Sequence, residues 1–283
     1  MSSTKALLTA HDVRPKKSLG QNFLCDPQAA EAIVRHGRIG PADTVVEIGA
    51  GTGALTVHAA RAASRVYAVE TDSRLMDVLT ETIREKDIGN VTIVNRNFMD
   101  VDLAEFFEKA GSKLVVMGNL PYYISSQILV RLIEKRRLID RAVLMFQQEL
   151  ADRIAAPPGS RDYGRLSAML RYCAEVRPLM RVRKELFYPR PAIASAVVGI
   201  LFKPSSETVS CDDELLFEII KTAFAKRRKT IKNALASGKS GAPPALWDQI
   251  LEQAGIDPES RAEALDAPAY VDICRWYKAL TQL

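Results

Sequence analysis

A glycine-rich turn between an apolar stretch and a helical stretch limits most strongly how this chain can fold. Residues Thr44–Ile48 are mostly β-branched and apolar, which predicts a buried strand. Gly49-Ala50-Gly51-Thr52-Gly53 follows at once, and residues 54–63 continue as a helix. Glycines permit a tight turn and let backbone N–H groups approach a ligand at a helix N-terminus. This order predicts a β-α-β unit of an open parallel sheet.

A carboxylate stands where such a sheet binds nucleosides. The second predicted strand, residues 65–69, is followed by Glu70, 21 residues after Gly49. An acid at that distance, at the tip of the next strand, is placed to bind ribose hydroxyls. The glycine loop alone also fits a plain β-α-β turn. Together with Glu70 it favours a nucleoside cofactor.

A proline-locked motif follows another predicted buried strand, residues 113–117. Its sequence is Gly118-Asn119-Leu120-Pro121-Tyr122-Tyr123. Pro121 has no N–H and pushes Leu120 towards an extended conformation, so the Asn119 amide and the Leu120 carbonyl can point away from the ladder. Two acceptors and two aromatic rings at a strand's carboxyl end could hold a flat ring that carries an amine. The pattern also fits a strand-ending turn whose tyrosines cap the core.

The remaining pattern predicts one α/β domain followed by a helical one. Apolar runs at 91–95 and 142–146 predict two more strands, and alternating runs near 174–182 and 194–202 predict an antiparallel pair that closes the sheet. After residue 204 the pattern predicts helices alone. We therefore expect domains at 1–204 and 205–283. Residues 1–15 predict a loose tail.

Composition excludes several classes of protein. The chain has 283 residues, is 47% hydrophobic, and contains no apolar run that approaches 18 residues, so no membrane span is expected. Its N-terminus lacks the apolar core of a signal peptide. Four cysteines and three histidines are scattered without metal-ligand spacing. Reduced thiols, a cytoplasmic protein and no metal site are therefore expected.

Positive charge is concentrated in the middle of the chain. Residues 131–190 contain 14 Lys and Arg against 7 Asp and Glu, a net charge of +7, whereas residues 205–283 have a net charge of −2. Most of these cations are arginines, which suit phosphate backbones. An ordinary solvated surface is the alternative. The cluster at 226–232 likewise fits either an RNA contact or a solvated helix start.

Several motifs together resemble the ribosomal RNA adenine dimethyltransferases, with the match strongest to the bacterial small-subunit (16S) enzymes. The resemblance covers nearly the whole chain, and its specificity lies in the order and spacing of the motifs. They are Gly20-Gln21-Asn22-Phe23-Leu24, Glu47 to Gly53, Asn119-Leu120-Pro121-Tyr122, Tyr163 to Ser167, Phe187-Tyr188-Pro189-Arg190-Pro191, Arg227 to Thr230 and Arg261-Ala262-Glu263.

The resemblance implies a Rossmann-like, S-adenosylmethionine-dependent methyltransferase sheet with a small all-helical C-terminal domain. It implies four catalytic positions: Asn119 and Leu120 as acceptors, and Tyr122 and Phe187 as aromatics on the two faces of the base. The implied cofactor-binding residues are Gln21, Asn22, Leu24, Gly49, Gly51, Glu70, Asn97 and Asn119. RNA is expected at Arg136, Arg137, Arg165, Arg227, Arg228 and Lys229.

One position departs from the family pattern. Counting from Val91, residue 97 should be an aspartate that accepts from the amino group of the cofactor's adenine, and here it is Asn97. Asparagine keeps a carbonyl acceptor but loses the charge. Asp100, three residues on, is the other candidate. We favour Asn97.

The function implied is dimethylation of the N6 amines of two adjacent adenosines near the 3′ end of 16S ribosomal RNA during small-subunit assembly. The expected enzyme acts in the cytoplasm as a monomer. Two related readings stay open: a 23S-directed adenine methyltransferase of the antibiotic-resistance type, and an assembly factor that binds RNA without turnover. A NAD-dependent dehydrogenase would need a G-x-G-x-x-G loop and a hydride-handling acid or base, and the sequence contains neither.

Overall fold

The computed structural model of the protein describes residues 4–204, 211–238 and 242–281. The chain forms two compact units, one built from Met1–Ala151 and Val176–Phe202 and the other from Asp152–Glu175 and Lys203–Leu283. It therefore passes between the units three times. The last passage lies beside the boundary expected near residue 205, which itself is outside the described residues. Between the first two passages, residues 152–175 belong to the helical unit, although they were expected in the first domain.

The described residues contain nine strands and twelve α-helices. The strands are β1 Phe23–Leu24, β2 Thr44–Ile48, β3 Arg65–Glu70, β4 Val91–Asn95, β5 Leu114–Asn119, β6 Ile139–Gln147, β7 Ala174–Val182, β8 Phe187–Tyr188 and β9 Ser195–Phe202. The helices are α1 Thr4–Ala10, α2 Pro27–His36, α3 Ala54–Ala62, α4 Met76–Glu85, α5 Leu103–Ala110, α6 Ser125–Glu134, α7 Gln148–Ala155, α8 Arg165–Cys173, α9 Asp213–Ala225, α10 Ile231–Ala236, α11 Pro244–Gln253 and α12 Ala267–Thr281.

Seven strands form one sheet in the order β4-β3-β2-β5-β6-β9-β7. Strands β2 to β6 run parallel, and β9 joins β6 antiparallel. The two runs predicted to close the sheet, β7 and β9, are neighbours at its edge. The order reverses between β2 and β5, where Ile48 lies beside Gly118. Ligands of open α/β sheets bind outside the carboxyl ends of the strands at such a reversal. The predicted Rossmann-like fold is confirmed.

Apolar faces of two helices cover the middle of the sheet. In α2, Asp26 Oδ1 accepts from Ala29 N at 2.6 Å and Pro27 occupies the first turn, so the helix begins where its capping residues predict. Ile33 and Val34 of this helix pack with strand residues such as Val115 in one buried cluster. Burial of such side chains stabilises the fold by about 1.5–3 kcal/mol each.

The helical unit has its own aromatic core. Trp247 of α11 and Tyr277 of α12 stack with ring centroids 5.2 Å apart. Tyr172 of α8 donates from its hydroxyl to Asp213 Oδ1 of α9 at 2.9 Å. Aromatic packing and a hydrogen bond thus join four helices of this unit.

The prediction of a loose N-terminal tail is wrong for residues 4–10, which form α1. Leu8 is buried and packs against Leu75 and Val78. His11, just after the helix, has its Nε2 2.5 Å from Oε2 of Glu81. A helix of seven residues is only marginally stable by itself. The contacts of Leu8 and His11 with α4 and with Leu75, just before α4, explain why α1 forms.

Candidate active site

A cavity lies at the carboxyl ends of β2, β3, β4 and β5, all within the first unit. Its walls come from five stretches of chain, together with Ile128: 19–24, 47–55 without Gly53, 69–71, 96–98 and 119–124. The glycine loop, Glu70 and the proline-locked motif meet there because parallel strands bring their carboxyl ends to one edge. All eight predicted cofactor-binding residues line this one cavity, with Asn97 on its β4 side.

The glycine loop holds itself in a tight turn. Gly49, Gly51 and Gly53 have φ of +73°, +59° and +87°, conformations that other residues rarely adopt. The N–H groups of Gly49 and Ala50 both donate to Val69 O, at 2.9 and 3.1 Å. These two donors are therefore used within the protein. The contribution of the loop is therefore backbone that lies close to the cavity, and not free N–H groups.

Glu70 is held beneath the loop by three backbone donors. Its Oε2 accepts from Gly51 N at 2.9 Å, and its Oε1 accepts from Thr71 N at 2.8 Å and Asp72 N at 2.9 Å. Burial raises the pKa of Glu70, and these hydrogen bonds oppose the rise. A carboxylate has lone pairs for further donors, so Glu70 can still accept from a ligand hydroxyl.

A second carboxylate, Glu47, lies at the end of β2 and also lines the cavity. It is 1% exposed, and Thr56 Oγ1 donates to its Oε2 at 2.5 Å. Burial raises the pKa of Glu47 to about 8, with the Thr56 hydrogen bond acting against the rise and the negative charge of Glu70 adding to it. No separate role was predicted for Glu47.

The proline-locked motif presents two open acceptors. Asn119 Nδ2 donates to the Asn22 carbonyl at 2.8 Å, which fixes the amide so that Oδ1 is left for another partner. Among the described residues, no hydrogen bond ends on Asn119 Oδ1 or on the Leu120 carbonyl. Strand β5 continues to Asn119, two residues beyond its predicted end, because Asn119 still pairs with Met145 and Leu120 N donates to Met145 O at 3.2 Å.

The tyrosines beside these acceptors differ in their support. Tyr122 OH lies 3.2 Å from Ser195 Oγ, and Ser195 is fully buried at the start of β9. Tyr123 also lines the cavity but is 60% exposed. Ser195 had no predicted role, since its partner lies 73 residues away in the chain.

The structure does not bring Phe187 to the cavity. Its side chain is 4% exposed and belongs to the buried cluster that includes Leu24 and Val197. The reason is the two-stranded ladder of β1 and β8, in which Phe187 lies opposite Leu24. An aromatic contact to a base from Phe187 stays a prediction that this arrangement does not support.

Asp72 links the N-terminal motif to the cavity wall, although no role at the ligand site was predicted for it. Gln21 Nε2 donates to Asp72 Oδ2 at 2.9 Å, and Gln21 Oε1 accepts from Lys16 N at 2.7 Å. Arg74 donates to both oxygens of Asp72, which lowers the pKa of that carboxyl to about 2. Both ends of the Gln21 amide are therefore engaged in positioning the wall, and Asn22 Nδ2 similarly donates to Gly20 O at 3.0 Å.

Asn97 and Asp100 are both exposed, but Asn97 lines the cavity and Asp100 does not. Asn97 Oδ1 accepts from Met99 N at 3.0 Å, so the residue caps the short helical turn at Phe98–Asp100. The oxygen keeps a second lone pair for another donor, and the amide nitrogen has both of its N–H groups left to donate. This geometry favours Asn97 over Asp100 as the residue facing a ligand, and leaves its donor free.

The six predicted RNA-binding residues differ in accessibility. Arg136 is 8% exposed and donates to Ile133 O at 3.2 Å, so it serves the fold and is not presented to a phosphate as it stands. Arg227 is exposed but donates to Arg161 O at 2.8 Å and pairs with Glu263 at 3.5 Å. Arg137, Arg228 and Lys229 are exposed and Arg165 is partly buried.

Metal sites and membrane spans concern the classes of protein expected from the composition. Across residues 4–204, 211–238 and 242–281, no three His, Cys, Asp or Glu side chains are grouped so that they could hold a metal ion. In the same part of the chain, no helix is both long and apolar enough to cross a membrane.

Comparison with known proteins agrees with the site. Residues 13–278 match the family model described as ribosomal RNA adenine dimethylase. The chain is 46% identical over 264 residues to "Ribosomal RNA small subunit methyltransferase A" of Desulforapulum autotrophicum, covering 93% of this chain and 92% of the relative. It is 38% identical over 275 residues to the protein of the same name from Bacillus cereus, covering 95% and 94%.

Solved structures share the fold. A dimethyladenosine transferase from Plasmodium falciparum superposes with a TM-score of 0.78 at 24% identity, covering 91% of this chain and 98% of that one. The 23S rRNA methyltransferase ErmE gives 0.66 at 23% identity, covering 90% and 98%. The resemblance read from the motifs is confirmed: this chain belongs to the ribosomal RNA adenine dimethylase family.

Proposed function

We propose that this enzyme transfers methyl groups from S-adenosylmethionine to the N6 amines of two adjacent adenosines near the 3′ end of 16S ribosomal RNA. The observation that carries the proposal is the pair of open acceptors, Asn119 Oδ1 and the Leu120 carbonyl, at the rim of a glycine-lined cavity. The names of the small-subunit relatives support the choice of RNA.

The residues around the cavity fit this cofactor. At Gly49 an added Cβ would lie 3.7 Å from Asn119 O, and at Gly51 it would lie 3.1 Å from the Phe23 ring, so glycine keeps room at the wall. Glu70 offers carboxylate oxygens suited to ribose hydroxyls. The space beside the glycine loop and the carboxylate of Glu70 therefore suit the adenosyl part of this cofactor.

The cofactor supplies, when bound, an electrophilic methyl group on a positively charged sulfur. The chain's part is to prepare the amine. The adenine N6 lone pair is delocalised into the ring, which makes the amine a poor nucleophile. Asn119 Oδ1 and the Leu120 carbonyl, by accepting its two N–H hydrogens, would favour a pyramidal nitrogen and stabilise the positive charge that develops there.

Orientation is built into the acceptors before substrate arrives. The bond from Asn119 Nδ2 to Asn22 O at 2.8 Å prevents the amide from turning its donor towards the amine. The hydrogen bond from Leu120 N to Met145 O fixes the backbone of Leu120, whose carbonyl is the second acceptor. Positioning of this kind contributes up to roughly 7–11 kcal/mol of a barrier. No strong base is required, because the methylated ammonium is acidic and loses its proton to water.

Tyr122 is the aromatic placed to stack on the base, which must leave its helix or loop to reach the cavity. Stacking on one ring contributes about 1–3 kcal/mol. The hydroxyl contact with Ser195 at 3.2 Å orients the ring. Because Phe187 is buried, we assign the second face of the base to no residue.

We further propose that the helical C-terminal region, 205–283, contributes to ribosomal RNA binding through exposed cations such as Arg228 and Lys229. Guanidinium and ammonium groups bind phosphates with an affinity that falls as salt rises. The enzyme is proposed to act on the small subunit in the cytoplasm as a monomer.

Methyl transfer to purified ribosomal subunits tests the function. Tritium from labelled S-adenosylmethionine should enter undermethylated small subunits, and nucleoside analysis should find it as N6,N6-dimethyladenosine. Large subunits assayed in parallel should stay unlabelled, and Asn119→Ala should label neither. Label in large subunits alone would instead indicate the 23S-directed activity. Tight binding to small subunits without transfer would indicate an assembly factor.

A further inference from the structure

The two buried carboxyls of the cavity differ in how their charge is supported. Glu70 accepts three backbone N–H groups, from Gly51, Thr71 and Asp72. Glu47 accepts from the Thr56 hydroxyl, at 2.5 Å, with a smaller contribution from the Thr56 backbone N–H. A buried carboxylate supported by a single residue is costly, whereas a protonated carboxyl in the same place is not. The geometry therefore assigns the negative charge of the pair to Glu70 and a proton to Glu47.

No cation in the described part of the chain compensates Glu47. The strands that flank β2 place Ala68 of β3 and Met117 of β5 beside it. The helix that packs above contributes Thr56. Of the described titratable groups, Glu70 is the one whose charge acts on Glu47, and two negative charges in one buried space oppose each other. Burial and this repulsion raise the pKa of Glu47 to about 8.

We infer that Glu47 carries a proton while the cavity lacks a cationic ligand, and that binding of an adenosyl sulfonium expels this proton into solvent. The inference rests on the function proposed above. Both Glu47 and the glycine loop line the cavity, so a positive charge that enters it stabilises the carboxylate. The O–H bond of Glu47 breaks, the electron pair stays on the carboxylate, and the proton leaves to water or buffer.

Glu47 should respond differently to the cofactor and to the product of methyl transfer. S-Adenosylmethionine carries one more positive charge than S-adenosylhomocysteine, which has a neutral thioether. Methyl transfer therefore removes the charge that held Glu47 ionised, and the carboxyl takes up a proton again. Above a pH of about 8 the residue is already ionised and favours the sulfonium over the thioether. Glu47 thus becomes a determinant of which ligand the cavity retains.

Isothermal titration calorimetry measures the proton directly. Binding of S-adenosylmethionine is titrated at pH 7 in phosphate and in Tris, whose ionisation enthalpies differ, so that the difference in observed heat gives the number of protons released. Wild type should release about one proton with S-adenosylmethionine and clearly fewer with S-adenosylhomocysteine. Glu47→Gln should lose most of the release, since the amide has no proton to give in this range.

Variants at the hydrogen-bond partner provide a matched pair. Thr56→Ser keeps the hydroxyl and should release protons as wild type does. Thr56→Val removes the donor that supports the charged form, so proton release should persist to higher pH than in wild type. The same release in wild type and Glu47→Gln would overturn the inference.

A measurement without cofactor checks the proton and the fold together. Between about pH 4.5 and 8 the folded chain holds the Glu47 proton and the unfolded chain does not, so folding loses stability as pH rises through this interval. The melting temperature of wild type should therefore fall relative to that of Glu47→Gln across it. A constant difference would overturn the assignment. Absence of any cofactor binding would instead overturn the proposed function, and this inference with it.

Discussion

The carboxyl ends of β2 and β5 are neighbours in the sheet but treat their polar groups in opposite ways. After β2, the N–H groups of the glycine loop donate within the protein: those of Gly49 and Ala50 to Val69 O, and that of Gly51 to Glu70. After β5, the Leu120 carbonyl and Asn119 Oδ1 accept nothing from the described residues. The first end is a closed framework and the second is an open one.

This difference indicates that cofactor binding and methyl transfer depend on different ends of the sheet. A loop whose donors are already satisfied keeps its shape whether or not a ligand is present, so its contribution is the shape of the cavity. Open acceptors that are held in place cost nothing to orient at the moment of reaction, which is how preorganised polar groups stabilise a transition state. Damage to the β2 end should therefore weaken cofactor binding, and damage to the β5 end should slow turnover.

The largest expected effect comes from Asn119→Ala at the open end. Loss of one preorganised hydrogen-bond partner typically lowers kcat by about 100- to 1000-fold. The dissociation constant for S-adenosylmethionine, measured by calorimetry, should change far less than kcat. Equal losses in both would contradict the separation, because they would make Asn119 part of the binding framework.

Gly51→Ala tests the closed end. Its φ of +59° costs a non-glycine residue roughly 1–2 kcal/mol, and the new Cβ would lie 3.1 Å from the Phe23 ring. Cofactor affinity should fall by about tenfold, while kcat at saturating cofactor stays close to wild type.

Gly111→Ala is the matched control for that substitution. Gly111 has φ of +65°, and an added Cβ meets nothing within 4 Å. The backbone strain is similar, but the residue ends α5 and does not line the cavity. Its variant should lose stability without losing cofactor affinity. A similar drop in affinity in both variants would attribute the Gly51 effect to general destabilisation.

Removal of the hydroxyl contact at Tyr122 should have a smaller effect on the open end. Tyr122→Phe and Ser195→Ala each delete one neutral hydrogen bond, which is worth about 0.5–1.5 kcal/mol, so kcat/KM for RNA should fall by about 2- to 10-fold. The double variant should lose no more than either single one, because both remove the same interaction. Additive losses in steady-state assays would show that Ser195 does not act through Tyr122.

The two ends also differ in how far sequence could predict them. The loop glycines and Glu70 were found because local residue types dictate a strand, a turn and a strand end, and parallel pairing brings them to one edge. The orientation of Asn119 was not, since it depends on the Asn22 carbonyl, 97 residues away in the chain. Contacts of this range leave no periodic signal in the sequence.

Phe187 and Arg136 illustrate the same limit. Side chains alternate along a strand, so whether Phe187 faces the core or the cavity depends on the register with β1. Arg136 stands in a basic run that reads as surface, but the turn after α6 buries it. The family resemblance supplied the identity of such residues and not their environment.

Asn97→Asp should have the smallest effect and act on binding alone. The Asn97 oxygen already accepts from Met99 N and has one lone pair left, and the other terminal atom of the amide is a donor, which cannot accept from the adenine amine. Aspartate keeps the capping bond and adds a free acceptor, so stability should be unchanged. One added hydrogen bond of about 0.5–1.5 kcal/mol should tighten cofactor binding by about 2- to 10-fold.

Asp100→Asn is the companion variant, and it decides which residue the cofactor's adenine meets. Asp100 is exposed and does not line the cavity, so cofactor affinity measured by calorimetry should not change. Weaker binding in Asp100→Asn, with no gain in Asn97→Asp, would move the adenine contact to Asp100. It would also show that the cavity wall at the end of β4 rearranges on binding, because the turn that Asn97 now caps keeps the two side chains apart. The β4 end would then belong with neither the closed framework after β2 nor the preset acceptors after β5.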